Sequence, residues 1–326
     1  MKNKIILNDS MNMLLNDFVK YKQSLGYKYV KDALLIKRIL FFLSMKNKDN
    51  PFEYNYDTVN EFCNLEGSAA RTIHAKQSAF RQLAIYLNNV KKIKCYVLSD
   101  TLIKCNKDYI PYIYTRDELS KIFINLDMIN VSKNCGKYYH FVICAYIRVL
   151  YCCGLRANEG TKLRYEDVDL EKGFLIIRNS KENASRKIPI SNSLKDYLIY
   201  YQQKIKPIQN SFFFPSTGRD SSISSARALT YFIKASNLAG LDGRDSNGNI
   251  RLHNLRHTFA VHSLEKMINL GMDPYCSMPY LSIYMGHKGI ESTEIYLRLT
   301  SDYFEKILSL SKDDILKIFP EVTSNE

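Results

Sequence analysis

"GFLIIRNSKENASRKIPI", from Gly173 to Ile190, is the stretch whose reading decides the fold. Its β-branched and aromatic residues flank a polar turn, the pattern a hairpin requires. Most of the chain on either side carries a helical period. Towards the N-terminus, Thr115 followed by Glu118 predicts a capped helix start, and a long apolar helix is expected from about Lys137 to Cys153. Beyond the hairpin, helices resume near Ser191 and from about Ser224. "GLDGRDSNGNI" from Gly240 is turn-rich, and the remainder to Ile318 reads as helix apart from a break around Gly271 to Pro279. The chain is therefore expected to be mainly α with a small β-sheet or hairpin. No internal repeat is visible.

Residues 10 to 90 show little strand character. Met13, Leu14, Phe18, Tyr21 and Leu25 recur at helical spacing, as do Leu34, Leu35, Ile39, Leu40 and Leu43, which predicts a small helical bundle. Asn50–Pro51 marks a turn, Thr58 precedes a short helix, and a longer helix runs from about Ala69 to Leu87. On it Ala69, Ile73, Phe80, Ala84 and Leu87 form an apolar stripe interrupted by Gln77. Arg71, His74, Ser78 and Arg81 form a second face, which reads either as a plain solvated surface or as a face that follows phosphates. Residues 1 to 105 hold 17 Lys and Arg against 9 Asp and Glu, and this bias favours DNA, with Arg71, His74 and Arg81 as the contacts. The irregular segment from Leu98 to Tyr114, with Pro111, reads as a linker. It divides a helical domain, 1–105, from a second domain, 106–326, in which 106–114 is the end of the linker.

A length of 326 residues has room for two domains of roughly 150 residues each. The formal net charge of +13 fits a polyanionic partner better than an acidic small molecule. A membrane partner is not expected, because no basic amphipathic segment stands apart and no lipidation signal is present. The opening apolar run is only Ile5 to Leu7, too short for a signal peptide, and "HFVICAYIRVLYCCGL" from His140 carries Arg148 in its middle, so a cytoplasmic protein is expected. The eight cysteines form no CxxC pair, and His140 with Cys144 has no second ligand pair. Neither a metal site nor a disulfide framework is indicated, and Cys residues in a reducing compartment pack as small hydrophobes.

Four separated segments supply residues that phosphoryl transfer without metal would need. They are Arg156 in "CGLRANEG", Lys181 in the hairpin, His253 and Arg256 in "HNLRH", and His287 with Tyr296 in "MGHKGIESTEIY". Each alone is ordinary, but their order and spacing resemble the tyrosine recombinase, or phage integrase, family. "GLRANEG" looks like that family's first arginine box, with Glu159 three residues after the arginine, and "HNLRHTFA" looks like its second. His287 and Tyr296 lie nine positions apart, as in the family's final motif, and Lys181 lies eight residues before Pro189 with Arg186 close behind, as in its lysine-bearing β-turn. The likeness spans roughly residues 110 to 310. It implies an N-terminal helical core-binding (SAM-like) domain and a C-terminal catalytic domain that clamp double-stranded DNA. It further implies a homotetramer on DNA, strand exchange through a 3′-phosphotyrosine and a Holliday junction, no cofactor, and room for an accessory DNA-bending or directionality factor.

The residue types suit that chemistry. A phosphodiester gains negative charge as a nucleophile adds, and the planar guanidinium groups of Arg156 and Arg256 suit it as bidentate donors. A phenol with a pKa near ~10 is a poor nucleophile at neutral pH, so Tyr296 needs cations or a base, for which His253 is the leading candidate. Lys181 is expected to protonate the leaving 5′ oxygen, His287 to donate a hydrogen bond to the phosphate, and Glu159 to orient a cation or histidine. The approach "GMDPYCSMPYLSIYMGH" from Gly271 is longer than the family's usual one and looks more like recombinases carried by mobile elements. After Tyr296, residues such as Tyr303, Ile307, Leu310 and Ile315 form an amphipathic pattern. The end of the chain, 312–326, reads either as a tail that docks on a neighbouring subunit or as a segment packed on its own domain. A type IB topoisomerase and an idle DNA-binding regulator are the competing readings, the second disfavoured because phosphate affinity needs no tyrosine at that place.

Overall fold

The computed structural model describes residues 5–65, 69–99, 109–129, 138–178, 185–206, 208, 211–218, 221–287, 289 and 291–299. The chain divides into two compact units, Met1–Asp108 and Tyr109–Glu326.

In the first unit four helices, α1 (Asp9–Ser24), α2 (Val30–Lys46), α3 (Tyr56–Asn64) and α4 (Ala70–Asn89), enclose one core. Asn8 and Asn55 start α1 and α3 by accepting from the backbone N–H groups of Met11 and Thr58, the bond that an N-cap supplies. The third helix thus begins at the asparagine, three residues before the threonine that the sequence suggests. Phe18, Ile36, Leu40, Phe62, Phe80, Leu83 and Leu87 are buried together. Gln77, which interrupts the apolar stripe of α4, is buried with it. So is Lys76, whose Nζ donates to the carbonyls of Phe62, Cys63 and Leu65 at 3.3, 3.1 and 3.1 Å. A cation at the carbonyl end of α3 answers acceptors that the helix leaves open.

The second unit is built around α6 (Tyr139–Cys152), which is apolar on nearly every side and therefore sits in the middle. Packed on it are α5 (Arg116–Met128), α8 (Asn192–Ile205), α9 (Ser225–Leu238) and α10 (Leu252–Asn269). The Thr115–Glu118 capping box forms in both directions, at 3.2 and 2.8 Å. His140 and Cys144 both face the carbonyl end of α5, towards Asp127 O at 3.0 Å and Leu126 O at 3.8 Å. Among the described residues no helix is long and apolar enough to cross a membrane.

The hairpin strands are β2 (Phe174–Ile177) and β3 (Arg186–Pro189), antiparallel with Leu175 opposite Ile188 and Ile177 opposite Arg186. A two-residue strand that the sequence reading missed, β1 (Val168–Asp169), pairs with β2 on its other edge. Leu175, Ile177 and Ile188 point into the core, so alternation fixes the register and leaves Arg186 at the far end of β3. A short α7 (Ala157–Lys162) precedes this sheet, and α11 (Pro274–Met285) and α12 (Glu291–Leu299) close the unit. The expected break at Gly271–Pro279 is shorter than its sequence suggests. Asp273 caps α11 through the N–H groups of Tyr275 and Cys276, Pro274 takes the first helical position, and Pro279 continues the helix on an exposed face. Lys181 and the segment 312–326 lie outside the described residues.

Candidate active site

Arg156 stands at the corner between α6 and α7. Gly154, at φ +58°, makes that corner, and Arg156 begins α7 with the Glu159 carboxylate accepting from its backbone N–H at 3.0 Å. Glu159 then gathers cations from three elements. Arg156 Nη1 lies 2.8 Å from Oε1, Arg186 Nη2 lies 2.8 Å from Oε2 with Nη1 at 3.1 Å from Oε1, and Arg256 Nη1 lies 3.9 Å from Oε2. Burial alone would raise the Glu159 pKa. The hydrogen bonds and charge of Arg186, and then the hydrogen bonds of Arg156, prevail and hold it down at about 2.

The same three arginines hold the carbonyl end of α11. Arg186 Nε donates to Tyr284 O at 3.0 Å, Arg256 Nη2 to Met285 O at 2.8 Å, and Arg156 Nη2 to Gly286 O at 3.1 Å. Three successive carbonyls, orphaned by the helix end, each take one guanidinium. Arg256 also donates to Gly154 O at 2.7 Å and is only 1% exposed; burial first, and then Arg156, lowers its pKa to about 10. Gly286 turns the chain at φ +66°, where a Cβ would meet the Arg186 side chain at 3.1 Å, and the next residue is His287. The arginines thereby fix the loop that presents the histidine.

His287 and Tyr296 face one another with rings stacked at 6.2 Å. His287 Nδ1 lies 2.8 Å from Thr293 Oγ1 on α12. Burial, followed by Arg256, Arg156 and Arg186, lowers the His287 imidazole to about 4, so it is neutral at pH 7. His253 begins α10 and keeps exposed surface. Desolvation by its neighbours, and then Arg256, Arg156 and Arg251, lowers it to about 4. Tyr296 is 2% exposed in a cluster with Ala260, Val261, Leu264, Leu281 and Met285. Burial raises its pKa, while Arg256 and Arg156 pull the other way.

The structure thus brings together Arg156, Glu159, His253, Arg256, His287 and Tyr296. Three further residues join them without having been assigned a role from sequence. Arg186 is the third cation on Glu159. His257 lies between His253 and Tyr296, with ring centroids 4.7 and 5.7 Å away, and its buried Nδ1 has no hydrogen-bond partner among the described residues. Its spacing of four from His253, one helical turn, is the signal that could have found it. Thr293 is the third, buried completely. In the first unit Arg71 is exposed, while Arg81 turns its Nε to Leu98 O at 3.2 Å and so helps hold the segment after α4.

Residues 114–302 match the model of a family described as the phage integrase family. A putative integrase/recombinase, y4rB, of Sinorhizobium fredii is 28% identical over 192 residues, which is 57% of this chain and 61% of that protein. Tyrosine recombinase XerA of Pyrococcus horikoshii is 27% identical over 203 residues, 62% of each. The chain thus spans about three fifths of the length of these two relatives. The crystal structure of XerH site-specific recombinase bound to palindromic difH substrate, a post-cleavage complex, superposes with a TM-score of 0.63. That superposition covers 87% of this chain and 79% of that one at 19% identity, and it shows a shared fold.

Proposed function

The chain belongs to the phage integrase family, and on that premise we propose that it is a site-specific DNA recombinase that cuts and rejoins duplex DNA through Tyr296. The observation that carries the reading is the convergence of Arg156, Arg256 and His287 on a single tyrosine, with His253 one ring further off, beyond His257. Phosphate affinity alone would call for the cations and not for the phenol.

In the proposed reaction Tyr296 Oη attacks a backbone phosphorus, the new P–O bond forms, and the bond to the 5′ oxygen breaks. The tyrosine proton passes to His253, which is neutral at pH 7 and able to accept it. The leaving oxygen takes a proton from Lys181. Arg156 and Arg256 use their remaining N–H donors on the charge that builds on the phosphate, and His287 adds a hydrogen bond. Glu159 orients the guanidinium groups and does not touch substrate. Ester is exchanged for ester, so the 3′-phosphotyrosine retains the energy of the broken strand and rejoining needs no ATP. Because the arginines supply the positive charge, cleavage is expected to proceed without a metal ion.

Tyr296 is 2% exposed, so attack needs its side chain to turn out towards the phosphate while α12 stays seated. The proposed assembly is a homotetramer on double-stranded DNA that passes through a Holliday junction, with 312–326 docking on a neighbouring subunit. Residues 1–105 are proposed to grip the duplex through Arg71, His74 and Arg81. A mobile element as the gene's carrier, a cytoplasmic location, and an accessory DNA-bending or directionality factor complete the proposal.

The test is covalent trapping. Wild type and Tyr296→Phe are incubated with nicked suicide duplexes made from DNA flanking the gene, in EDTA and without ATP. A denaturation-resistant adduct with wild type, absent from the variant, supports the proposal. Specific binding by both proteins with no adduct on any nicked duplex would leave a DNA-binding module instead.

A further inference from the structure

Thr293 lies three residues before Tyr296 on α12 and has no exposed surface, yet its hydroxyl has a proton to place. Its Oγ1 sits 2.8 Å from Nδ1 of His287, inside the range of a good hydrogen bond. Tyr296, carried by the next turn of the same helix, stacks its ring on the His287 ring. Burial and three arginines keep His287 neutral at pH 7, so its ring carries one proton, on one nitrogen or the other. The group that occupies Nδ1 decides which. If Nδ1 held the proton, Nε2 would present a lone pair to a phosphate oxygen, acceptor against acceptor. If Nδ1 accepts from the threonine, Nε2 carries the proton and can donate.

We propose that Thr293 is a positioning residue whose hydroxyl donates to Nδ1 of His287, holds the ring in its Nε2–H form, and so makes the helix that carries the nucleophile also prepare the histidine that binds the phosphate. The use of that Nε2–H rests on the recombinase reading, whereas the tautomer itself does not. One consequence is that the two groups are readied together: when α12 is seated, Tyr296 has its stacked neighbour and His287 has its donor. A displaced α12 deprives the site of both.

The experiment uses the full chain labelled with ¹⁵N-histidine at pH 7, with the His287 signals identified by their loss in His287→Asn. The wild-type two-bond ¹H–¹⁵N spectrum should show Nε2 protonated and Nδ1 as an acceptor. Thr293→Val keeps the shape and removes the hydroxyl, and should shift the Nδ1 signal and mix the tautomers; Thr293→Ser should preserve the wild-type pattern. A protonated Nδ1 in wild type, or a spectrum that Thr293→Val leaves unmoved, overturns the proposal. In the trapping assay, Thr293→Val should form adduct about tenfold or more slowly and Thr293→Ser within about threefold of wild type, the scale on which removing an orienting partner acts. Equal losses in both variants, with melting curves that fall together, would assign Thr293 to packing and overturn it as well. If wild type forms no adduct, the recombinase reading fails by itself, and the spectrum still decides the tautomer.

Discussion

Glu159 is a carboxylate among three guanidinium groups, and its charge is what lets them sit so close together. Its pKa of about 2 lies below the ordinary value near 4.5. It therefore contributes stability that is fully present above pH 4.5 and lost as pH falls through 2. The difference amounts to about 3 kcal/mol. Glu159→Gln should lose about that much in urea unfolding at pH 7, with the gap to wild type closing towards pH 2; equal stability at pH 7 would refute this account of the network. The role was partly legible from sequence, because Glu159 follows Arg156 by three positions and so shares its helix face. The cations that reach it from β3 and α10 were not. Neither Arg186 nor Arg256 is near Glu159 in the chain, and only the sheet register and the α6–α10 packing bring them in.

At the scale of elements, the end of α11 does most to organise the site. Its last carbonyls are open acceptors at the negative end of a helix, and Arg186, Arg256 and Arg156 each take one. Helix, hairpin and arginine corner are locked together there, and Gly154 allows the closeness. A Cβ at Gly154 would meet Phe259 Cδ1 at 2.3 Å, in a left-handed conformation besides, whereas Gly173 at φ +69° has open space around it. Gly154→Ala should cost roughly 2 to 4 kcal/mol in chemical unfolding, the sum of left-handed strain and overpacking, while Gly173→Ala pays only the strain, about 1 to 2 kcal/mol. Similar losses at the two positions would contradict the role given to Phe259. The hairpin and the capped start of α5 were readable because alternation and a capping box are local signals. β1 was not, since two residues carry no period. The break before α11 was read as too long because Pro279 normally ends a helix, and here it continues one on the solvent side.

Across the whole molecule, charge sets two further expectations. His257 and His287 are lowered to about 3 and about 4, by burial first and then by neighbouring histidines and arginines, from an ordinary value near 6.5. Folded protein thus binds fewer protons than unfolded chain between those limits. The stability tied to keeping these rings neutral is fully present above pH 6.5 and is lost as pH falls through about 4 for His287 and about 3 for His257. The melting temperature should drop over that interval, and less steeply in His257→Gln; identical pH dependence in the two proteins would count against a buried neutral His257. The first unit's basic bias predicts DNA binding that weakens linearly in log salt. Arg71→Ala should lower that slope by about 1 if the side chain meets a phosphate, as fluorescence anisotropy over a salt series would read. A mainly helical fold with a small hairpin could be seen in the periodicity. How the candidate site residues stand towards one another could not, because the described motifs that supply them are joined only by long-range packing. The nucleophile is identified most directly by mass spectrometry of the trapped adduct after nuclease and protease digestion. A nucleotide remnant is expected on the peptide that contains Tyr296, attached to that phenol; a remnant on any other residue, or an adduct that persists in Tyr296→Phe, would rule Tyr296 out as the nucleophile.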